Sequence, residues 1–195
     1  MNEGQIWIDE EITEDTYQSV KAQLINNSAA SDLTLHIASP GGSVYAGYKI
    51  YHAIKAAKKP IKVLVEGEAM SMASFLMVLG SSKACNPSRI MIHLPKSGVE
   101  GTSADMINGA NELIKIEEEM AQEYSKKTGI PIDKIKAMMA KETYMTAQEA
   151  KDLGFVDEVI SNTYLKAVAV GKPMKEKNLA QKALALANAA LESIG

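Results

Sequence analysis

Hydrophobic positions along the chain repeat with two different periods, which alternate from one segment to the next. Between residues 33 and 37, leucine and isoleucine occupy every second position, which is the period of a β-strand. Between residues 44 and 57, apolar side chains instead recur every three or four positions, which is the period of a helix with one face in a core. This strand-then-helix succession repeats along the chain and therefore predicts an α/β fold with mainly parallel strands.

The same pattern sets the expected limits of the elements. Strands are predicted at residues 6–8, 33–37, 61–65, 89–93 and 155–160. Helices are predicted at residues 14–24, 44–57, 71–79, 102–127 and 132–140. Residues 67–69 are expected to form a tight connection after the third strand, so that Ser71 begins the helix that follows.

The longest predicted helix carries signals at both ends. Thr102 and Asp105 stand three residues apart, as in a capping box, and Gly129 stands where a C-terminal cap is expected. Thr146 and Glu149 repeat the capping signal further along the chain. The inner face of the long helix is expected to carry Met106, Ala110, Leu113, Met120 and Tyr124.

The 195 residues are long enough for one domain with an appendage. Residues 1–161 are expected to form the α/β domain, and residues 162–195 a C-terminal helical appendage. Residues 176–191 are dominated by Ala, Leu, Lys and Asn, a composition that favours helix. No residue with a recognisable chemical role is expected in that appendage.

Composition narrows the classes of function. The net charge is −3, without a basic block that would neutralise a phosphate backbone, so nucleic acid is not an expected partner. One cysteine and three histidines without metal-ligand spacing predict neither a disulfide, nor a metal, nor any cofactor. The acidic N-terminus lacks a signal-peptide pattern, and no apolar run approaches the roughly 20 residues that span a bilayer. A cytoplasmic protein without a membrane segment is therefore expected.

Glycine, serine and histidine residues stand at or beyond the ends of three predicted strands. They are Gly41 with Gly42, then Ser71, then His93. Because ligands of α/β folds bind where the carboxyl ends of parallel strands meet, these residues are expected to lie close together. Acyl transfer needs a nucleophile, a base and donors for the oxyanion. Ser71 and His93 are candidates for the first two, and the N–H groups of Gly42 and Met72 for the third.

Each of these residue types also has a common structural role. A serine near a helix start is most often an N-cap, paired glycines after a strand are most often a turn, and a single histidine is more often a hydrogen-bonded structural residue. The segment GEAMSMA departs from the GxSxG elbow of the α/β-hydrolases, and no glycine-rich phosphate motif is present. Local sequence alone leaves both interpretations of Ser71 open.

Four segments taken together resemble the ordered signature blocks of the Clp protease proteolytic subunit family. These segments are SPGGSVYAGYKIYHAI, GEAMSMASFL, SRIMIHLPKSG and ETYMTAQEAKDLGFVDEVI. The resemblance covers residues 5–161 and implies a crotonase-like α/β superhelix of repeated β-β-α units, with a protruding handle helix between residues 95 and 130. It also implies a serine endopeptidase that hydrolyses peptide bonds.

The resemblance assigns a role to each matching residue. It implies that Ser71 is the nucleophile and that His93 is the general base. It further implies that the N–H groups of Gly42 and Met72 form the oxyanion hole. The family's catalytic aspartate falls on Glu142, and Asp133 and Asp152 are the alternative candidates for the acid.

Substrate binding is expected along the glycine-rich segment after the histidine. The family segment HQPLGG is HLPKSG in this chain. The resemblance implies that an extended polypeptide pairs with Gly41, Ser97 and Gly98 by adding a strand. The changed side chains are expected to alter the preference of the site rather than abolish binding.

The resemblance also implies an assembly. Family members form rings, including stacked heptamers, that shelter their sites, and the handle helix is where rings stack. Only MNEGQ precedes IWIDEEI, whereas family members usually carry a gating segment there, so a separate ATP-driven unfoldase is a doubtful partner. These departures most resemble the Clp-related head maturation proteases of phages and prophages.

The sequence leaves three alternatives open. The first is a catalytically silent assembly subunit with the same fold. The second is a relative of the signal peptide peptidases that uses a serine–lysine dyad, and the third is a crotonase-type enzyme that acts on acyl-CoA. His93 in its expected block speaks against the dyad. Fold alone does not decide among these functions.

Overall fold

A computed structural model describes residues 2–161 of the protein. The strands are β1 (Glu3–Ile8), β2 (Asp32–Ser39), β3 (Ile61–Met70), β4 (Ser81–Asn86), β5 (Arg89–Ile92), β6 (Thr143–Thr146) and β7 (Glu158–Ser161). The helices are α1 (Glu14–Asn26), α2 (Val44–Ala56), α3 (Met72–Phe75), α4 (Ser103–Thr128), α5 (Ile132–Ala140) and α6 (Ala147–Asp152), and a 3₁₀ turn at Leu76–Leu79 follows α3.

One sheet organises the described residues. Its strands lie in the order β1-β2-β3-β4-β7, and every neighbouring pair in that order is parallel. Strand β5 pairs in parallel with the far end of β3 and antiparallel with β6. The predicted α/β class with mainly parallel strands is therefore confirmed.

Strand β3 changes its partner halfway along, which the sequence pattern did not predict. Residues 62–65 pair with β4, whereas residues 68–70 pair with β5. Gly67 lies between the two sets with φ 113°, a backbone angle that residues with a side chain rarely adopt. The prediction of a tight connection at residues 67–69 is wrong, because β3 runs on through these residues and ends directly before Ser71.

Two further strands and one boundary differ from expectation. Strands β4 and β6 were not predicted, since their residues lack a clear alternation of apolar and polar side chains. The last strand was expected at residues 155–160, but β7 begins only at Glu158. Phe155 and Val156 are buried without belonging to a strand, so burial alone explains their apolar character.

Helix α4 has the predicted caps but only part of the predicted inner face. Thr102 accepts a hydrogen bond from the N–H of Asp105, and Gly129 adopts the left-handed conformation. Met120 and Tyr124 are buried, whereas Met106, in the first turn, is 53% exposed. The N-terminal half of α4 therefore lies outside the core of this chain, and the inner face predicted there is wrong.

The core lies on both sides of the long parallel strands. Buried isoleucine, leucine and valine side chains of β1, β2 and β3 form one cluster with buried residues of α2, α3 and the C-terminal half of α4. Among residues 2–161, no helix has the length and hydropathy needed to cross a membrane. The helical appendage predicted at residues 162–195 lies outside the described residues and stays a prediction.

Candidate active site

Ser71 occupies a constrained position between β3 and α3. Its backbone has φ 55° and ψ −125°, in a region that residues other than glycine seldom adopt. Its N–H donates to the carbonyl of Met91 on β5 at 2.9 Å. The helix predicted at residues 71–79 is instead the four-residue α3 followed by a 3₁₀ turn, so the hydroxyl of Ser71 stands at a sharp turn of the chain.

Gly41 brings the loop after β2 against this turn. A Cβ at Gly41 would lie 2.5 Å from the carbonyl oxygen of Met70, 2.7 Å from Cβ of Ser71 and 3.1 Å from N of Met72. These distances are too short for any side chain, so only glycine permits this approach.

Gly42 has a different neighbour. A Cβ on Gly42 would lie 2.4 Å from the carbonyl oxygen of Ile12. The N–H of Ile12 donates to the carbonyl of Gly41 at 2.7 Å, and the N–H of Ser43 donates to the carbonyl of Ile12 at 2.8 Å. These two bonds attach the glycine loop to the segment after β1 and fix its position beside Ser71.

His93 lies one residue beyond β5 and reaches Ser71. The hydroxyl oxygen of Ser71 is 2.7 Å from Nε2 of His93. The segment after the histidine is anchored by the N–H of Leu94, which donates to the carbonyl of Met139 at 3.2 Å. The expectation that residues following separate strands meet at one sheet edge therefore holds for Gly41, Ser71 and His93.

A small recess opens at the serine–histidine pair. Its volume is about 120 Å³. It is lined by Gly42, Val44, Ser71, Met72, His93, Pro95, Lys96 and Met120. Gly42 and Met72, the two expected oxyanion donors, thus both border the space next to the serine hydroxyl. A space of this size next to the hydroxyl suits a reacting carbonyl group rather than a whole ligand.

The second ring nitrogen of His93 has no protein partner in the described part of the chain. Nδ1 is buried and makes no hydrogen bond. Burial, together with the charge of Lys96, lowers the pKa of His93, and Glu142 opposes that effect. The imidazole is therefore largely neutral at neutral pH, the form in which a ring nitrogen can accept a proton.

Glu142 stands near the histidine but is bonded elsewhere. One carboxylate oxygen lies 3.4 Å from Nζ of Lys96, and the other accepts a hydrogen bond of 3.0 Å from the hydroxyl of Tyr144. The bonds from Tyr144 and Lys96 lower the pKa of Glu142, so this carboxyl is ionised. No hydrogen bond links Glu142 to His93 in the described structure.

The two alternative acids lie on other helices. Asp133 is in the first turn of α5. The carboxylate of Asp152, at the end of α6, accepts a hydrogen bond from Gln148 at 2.8 Å. Neither carboxylate bonds to His93 within residues 2–161, so the structure favours neither of them over Glu142.

The predicted substrate segment is exposed. Ser97 and Gly98 belong to a stretch between β5 and α4 without regular structure. Ser97 lines a groove of about 550 Å³ that shares Gly42, Val44 and Lys96 with the recess. The groove also contains Tyr45, Tyr48, Val99, Leu113, Ile116, Glu112 and Glu119. A polypeptide-sized space thus runs from the glycine loop to the segment that includes Ser97.

Other reactive groups of the described residues lie outside this site. Cys85 is buried, and burial raises the pKa of its thiol to about 11, which leaves it protonated and unreactive. Residues 2–161 contain no group of three or more His, Cys, Asp or Glu side chains placed to hold a metal ion. The serine–histidine pair is therefore the best candidate for chemistry among them.

An α/β fold that brings a serine hydroxyl and an imidazole into contact at a sheet edge is typical of a serine hydrolase. The family model described as Clp protease matches residues 1–163, which is most of the chain. The chain belongs to the Clp protease family. It is accordingly a serine-type endopeptidase, a hydrolase.

Three relatives illustrate the similarity. The ATP-dependent Clp protease proteolytic subunit of Pleurastrum terricola is 38% identical over 144 residues, covering 72% of this chain and 74% of the relative. The ATP-dependent Clp protease proteolytic subunit 2 of Bacillus licheniformis is 37% identical over 161 residues, covering 80% of this chain and 85% of the relative. The proteolytic subunit of Bacteroides fragilis is 35% identical over 161 residues, covering 80% and 78%.

Proposed function

We propose that Ser71 is the nucleophile and His93 the general base of this endopeptidase. The 2.7 Å contact between the serine hydroxyl and Nε2 carries the proposal. In the reaction, Nε2 takes the hydroxyl proton as the serine oxygen attacks the scissile carbonyl carbon, and the imidazolium then gives that proton to the leaving amine. Water hydrolyses the resulting ester by the same steps in reverse, which regenerates Ser71.

The oxyanion forms in the recess beside Ser71. We assign its stabilisation to the N–H groups of Gly42 and Met72, because both residues border the recess next to the hydroxyl. The contact of Gly41 with the backbone around Ser71 keeps the two donors close to each other. We place an extended substrate in the groove that Gly42 and Ser97 line. Its backbone would pair with Gly41, Ser97 and Gly98.

Glu142 is the proposed acidic partner of His93. When Nε2 accepts from Ser71, the ring proton is on Nδ1, which is buried and needs an acceptor. Glu142 is close enough to affect the pKa of His93, and its present bonds are to exposed groups. Rotation of its side chain away from Lys96 and Tyr144 would supply the acceptor and complete a Ser–His–Glu triad.

We further propose that the active form is a homo-oligomeric ring in the cytoplasm, with stacked heptamers as its expected form. Oligomeric rings are the general form of the family. Met106, Ile107 and Ile114 of α4 are each more than half exposed, and a second copy would cover them. The relatives are named ATP-dependent, but the chain carries no nucleotide-binding motif, so it cannot unfold a substrate with ATP unaided.

The finer role that we propose is that of a phage or prophage head maturation protease. A glutamate at the acidic position and HLPKSG in the substrate segment support it, since both depart from the family pattern in the site itself. Incubation with phage capsid and scaffold proteins is expected to give cleavage at defined bonds. Random degradation, or none, contradicts this role but leaves the peptidase chemistry intact.

Hydrolysis of a fluorogenic peptide library tests the proposed chemistry. The parent protein is expected to cleave peptides, and Ser71→Ala and His93→Ala are each expected to lower kcat by about 10⁴-fold or more. Ser82→Ala is the matched control, because Ser82 is a buried serine of β4 that bonds the carbonyl of Phe155. An intact oligomer without any activity would instead support the silent assembly subunit, the alternative that the unpaired Nδ1 favours.

A further inference from the structure

A pair of buried hydroxyl groups lies behind the nucleophile. The hydroxyl of Ser74, in α3, donates to the carbonyl oxygen of Ser71 at 2.7 Å. The hydroxyl oxygens of Ser74 and Tyr124 are 2.8 Å apart. Both side chains are fully buried, at 0% exposure. Hydrogen bonds thus run from α4 through Ser74 to the backbone of the proposed nucleophile.

The direction of these bonds follows from the number of protons. Ser74 has one hydroxyl proton, and the carbonyl of Ser71 can only accept it. Tyr124 must therefore donate its own proton to the oxygen of Ser74. Burial raises the pKa of the Tyr124 hydroxyl, so that proton is retained at any pH at which the protein works. Every polar atom of the pair is satisfied in this arrangement.

The carbonyl that receives the bond belongs to a residue with a strained backbone. Ser71 has φ 55°, and such a backbone persists only where its surroundings hold it in place. On the N-terminal side, the N–H of Ser71 is held by the carbonyl of Met91. On the C-terminal side, its carbonyl accepts from N of Ser74 at 3.0 Å and from N of Phe75 at 3.3 Å, besides the Ser74 hydroxyl.

Tyr124 is itself held by aromatic packing. Its ring makes edge contacts with Phe75, at 6.0 Å between centroids, and with Phe155, at 5.6 Å. The phenol oxygen therefore has one position, which in turn fixes the hydroxyl rotamer of Ser74. Helix α4 contributes Tyr124 from its buried half, far from the exposed residues of its first turns.

We propose that Ser74 and Tyr124 are positioning residues, which hold the strained backbone of Ser71 so that its hydroxyl stays directed at His93. This inference rests on the proposed role of Ser71 as nucleophile. Neither residue touches the recess, so neither contacts substrate. Their effect is therefore on the rate of the chemical step and not on substrate binding.

The variants separate positioning from simple loss of stability. Ser74→Ala removes the bond to Ser71 but also leaves the hydroxyl of Tyr124 buried without a partner, which destabilises the fold by itself. Tyr124→Phe keeps the ring packing and removes that hydroxyl. In the double variant Ser74→Ala/Tyr124→Phe no buried hydroxyl is left unpaired, yet the support of Ser71 is still missing.

Steady-state kinetics on one fluorogenic peptide, with thermal unfolding measured alongside, test the proposal. Ser74→Ala and the double variant are both expected to lose about tenfold in kcat with unchanged KM, and the pH at half-maximal rate should stay that of the parent. The loss expected for Tyr124→Phe alone is smaller, about threefold, because Ser74 still donates to Ser71. Ser82→Ala, the buried serine outside the site, is expected to keep the parent kcat.

Each outcome supports or contradicts the positioning role of Ser74 and Tyr124. Recovery of the parent kcat in the double variant would show that the effect of Ser74→Ala came from the orphaned hydroxyl, and the positioning role would be wrong. Parent rates in all variants would overturn it as well, while the proposed function stands. If Ser74→Ala does not fold, the kcat of Tyr124→Phe and of the double variant decides alone. If the parent protein is inactive, both the proposed function and the positioning role are wrong.

Discussion

Lys96 holds the carboxylate of Glu142 at 3.4 Å, beside a histidine whose Nδ1 has no partner in the described part of the chain. The pair is exposed, with 74% of the lysine side chain and 42% of the glutamate side chain accessible. Exposed ion pairs are weak, so this one can open readily. The site therefore contains a serine–histidine pair and an ionised carboxylate that has to change partner to complete a triad.

Removal of Lys96 should accordingly favour the active arrangement. In Lys96→Ala, Glu142 loses its cation and keeps only the bond from Tyr144, so its carboxylate turns more easily to accept from Nδ1 of His93. Because the lost pair is weak, kcat for a short peptide is expected to rise only two- to fivefold, roughly. Lys134→Ala, which removes an exposed lysine of α5, is the control and should leave kcat unchanged.

The double variant Lys96→Ala/Glu142→Gln shows whether Glu142 is responsible for that gain. A neutral amide cannot stabilise the imidazolium, so the double variant is expected to fall below the parent rate. A gain in kcat that persists without the carboxylate would contradict the triad role of Glu142. Asp133 and Asp152 would then be the candidates for the acid.

The pH dependence of kcat/KM should reflect the unusual environment of His93. Only neutral His93 can take the proton of Ser71, so the rate falls as the pH drops through the pKa of His93. Burial and then Lys96 lower that pKa, so the parent should keep activity below about pH 6.5, where an ordinary histidine is half protonated.

Lys96→Ala should move this acid limb to higher pH, because a nearby positive charge disfavours protonation and its loss makes protonation easier. The shift is best measured at low ionic strength, since salt screens an exposed lysine. A limb that stays in place or moves to lower pH would contradict the proposed role of His93 as the base under the influence of Lys96.

Gly41→Ala should greatly reduce activity. The added Cβ would lie 2.7 Å from Cβ of Ser71 and 2.5 Å from the carbonyl of Met70, so the loop must move away from the nucleophile. We expect a loss of more than about 100-fold in kcat/KM. Gly129→Ala shares the strained positive φ but has nothing within 4 Å of the new Cβ. It should lower stability alone and keep the activity of each folded molecule.

Sequence patterns predicted the elements that one period describes. In strand β2 apolar and polar residue types alternate, although both faces are buried, and helix α2 has one apolar face. Each therefore shows a single period, and their limits came out nearly right. The caps at Thr102 and Thr146 are local chemistry and were also found. The strand predicted at residues 61–65 is shorter than β3, because β3 changes its partner strand at Gly67 and the local sequence pattern does not indicate such a change.

The site was predictable as a set of residues but not as an arrangement. The carboxyl ends of parallel strands lie at one edge of a sheet. From this rule the sequence predicts that Ser71, His93 and the glycine loop lie close together. The partner of Glu142, the contact of Gly41 and the bond of Ser74 depend on side-chain orientations and on packing between distant segments. Periodicity carries no information about such contacts, so they had to be seen in the structure.

The central claim is that Ser71 is a nucleophile activated by His93. Reaction of the purified oligomer with a fluorophosphonate probe, mapped by mass spectrometry, tests it most directly, because the probe forms a stable bond only with an activated serine. The account predicts one labelled site, Ser71, with the label lost in Ser71→Ala and in His93→Ala and retained in Ser82→Ala. A label on another serine, or no label on an intact oligomer, would contradict it.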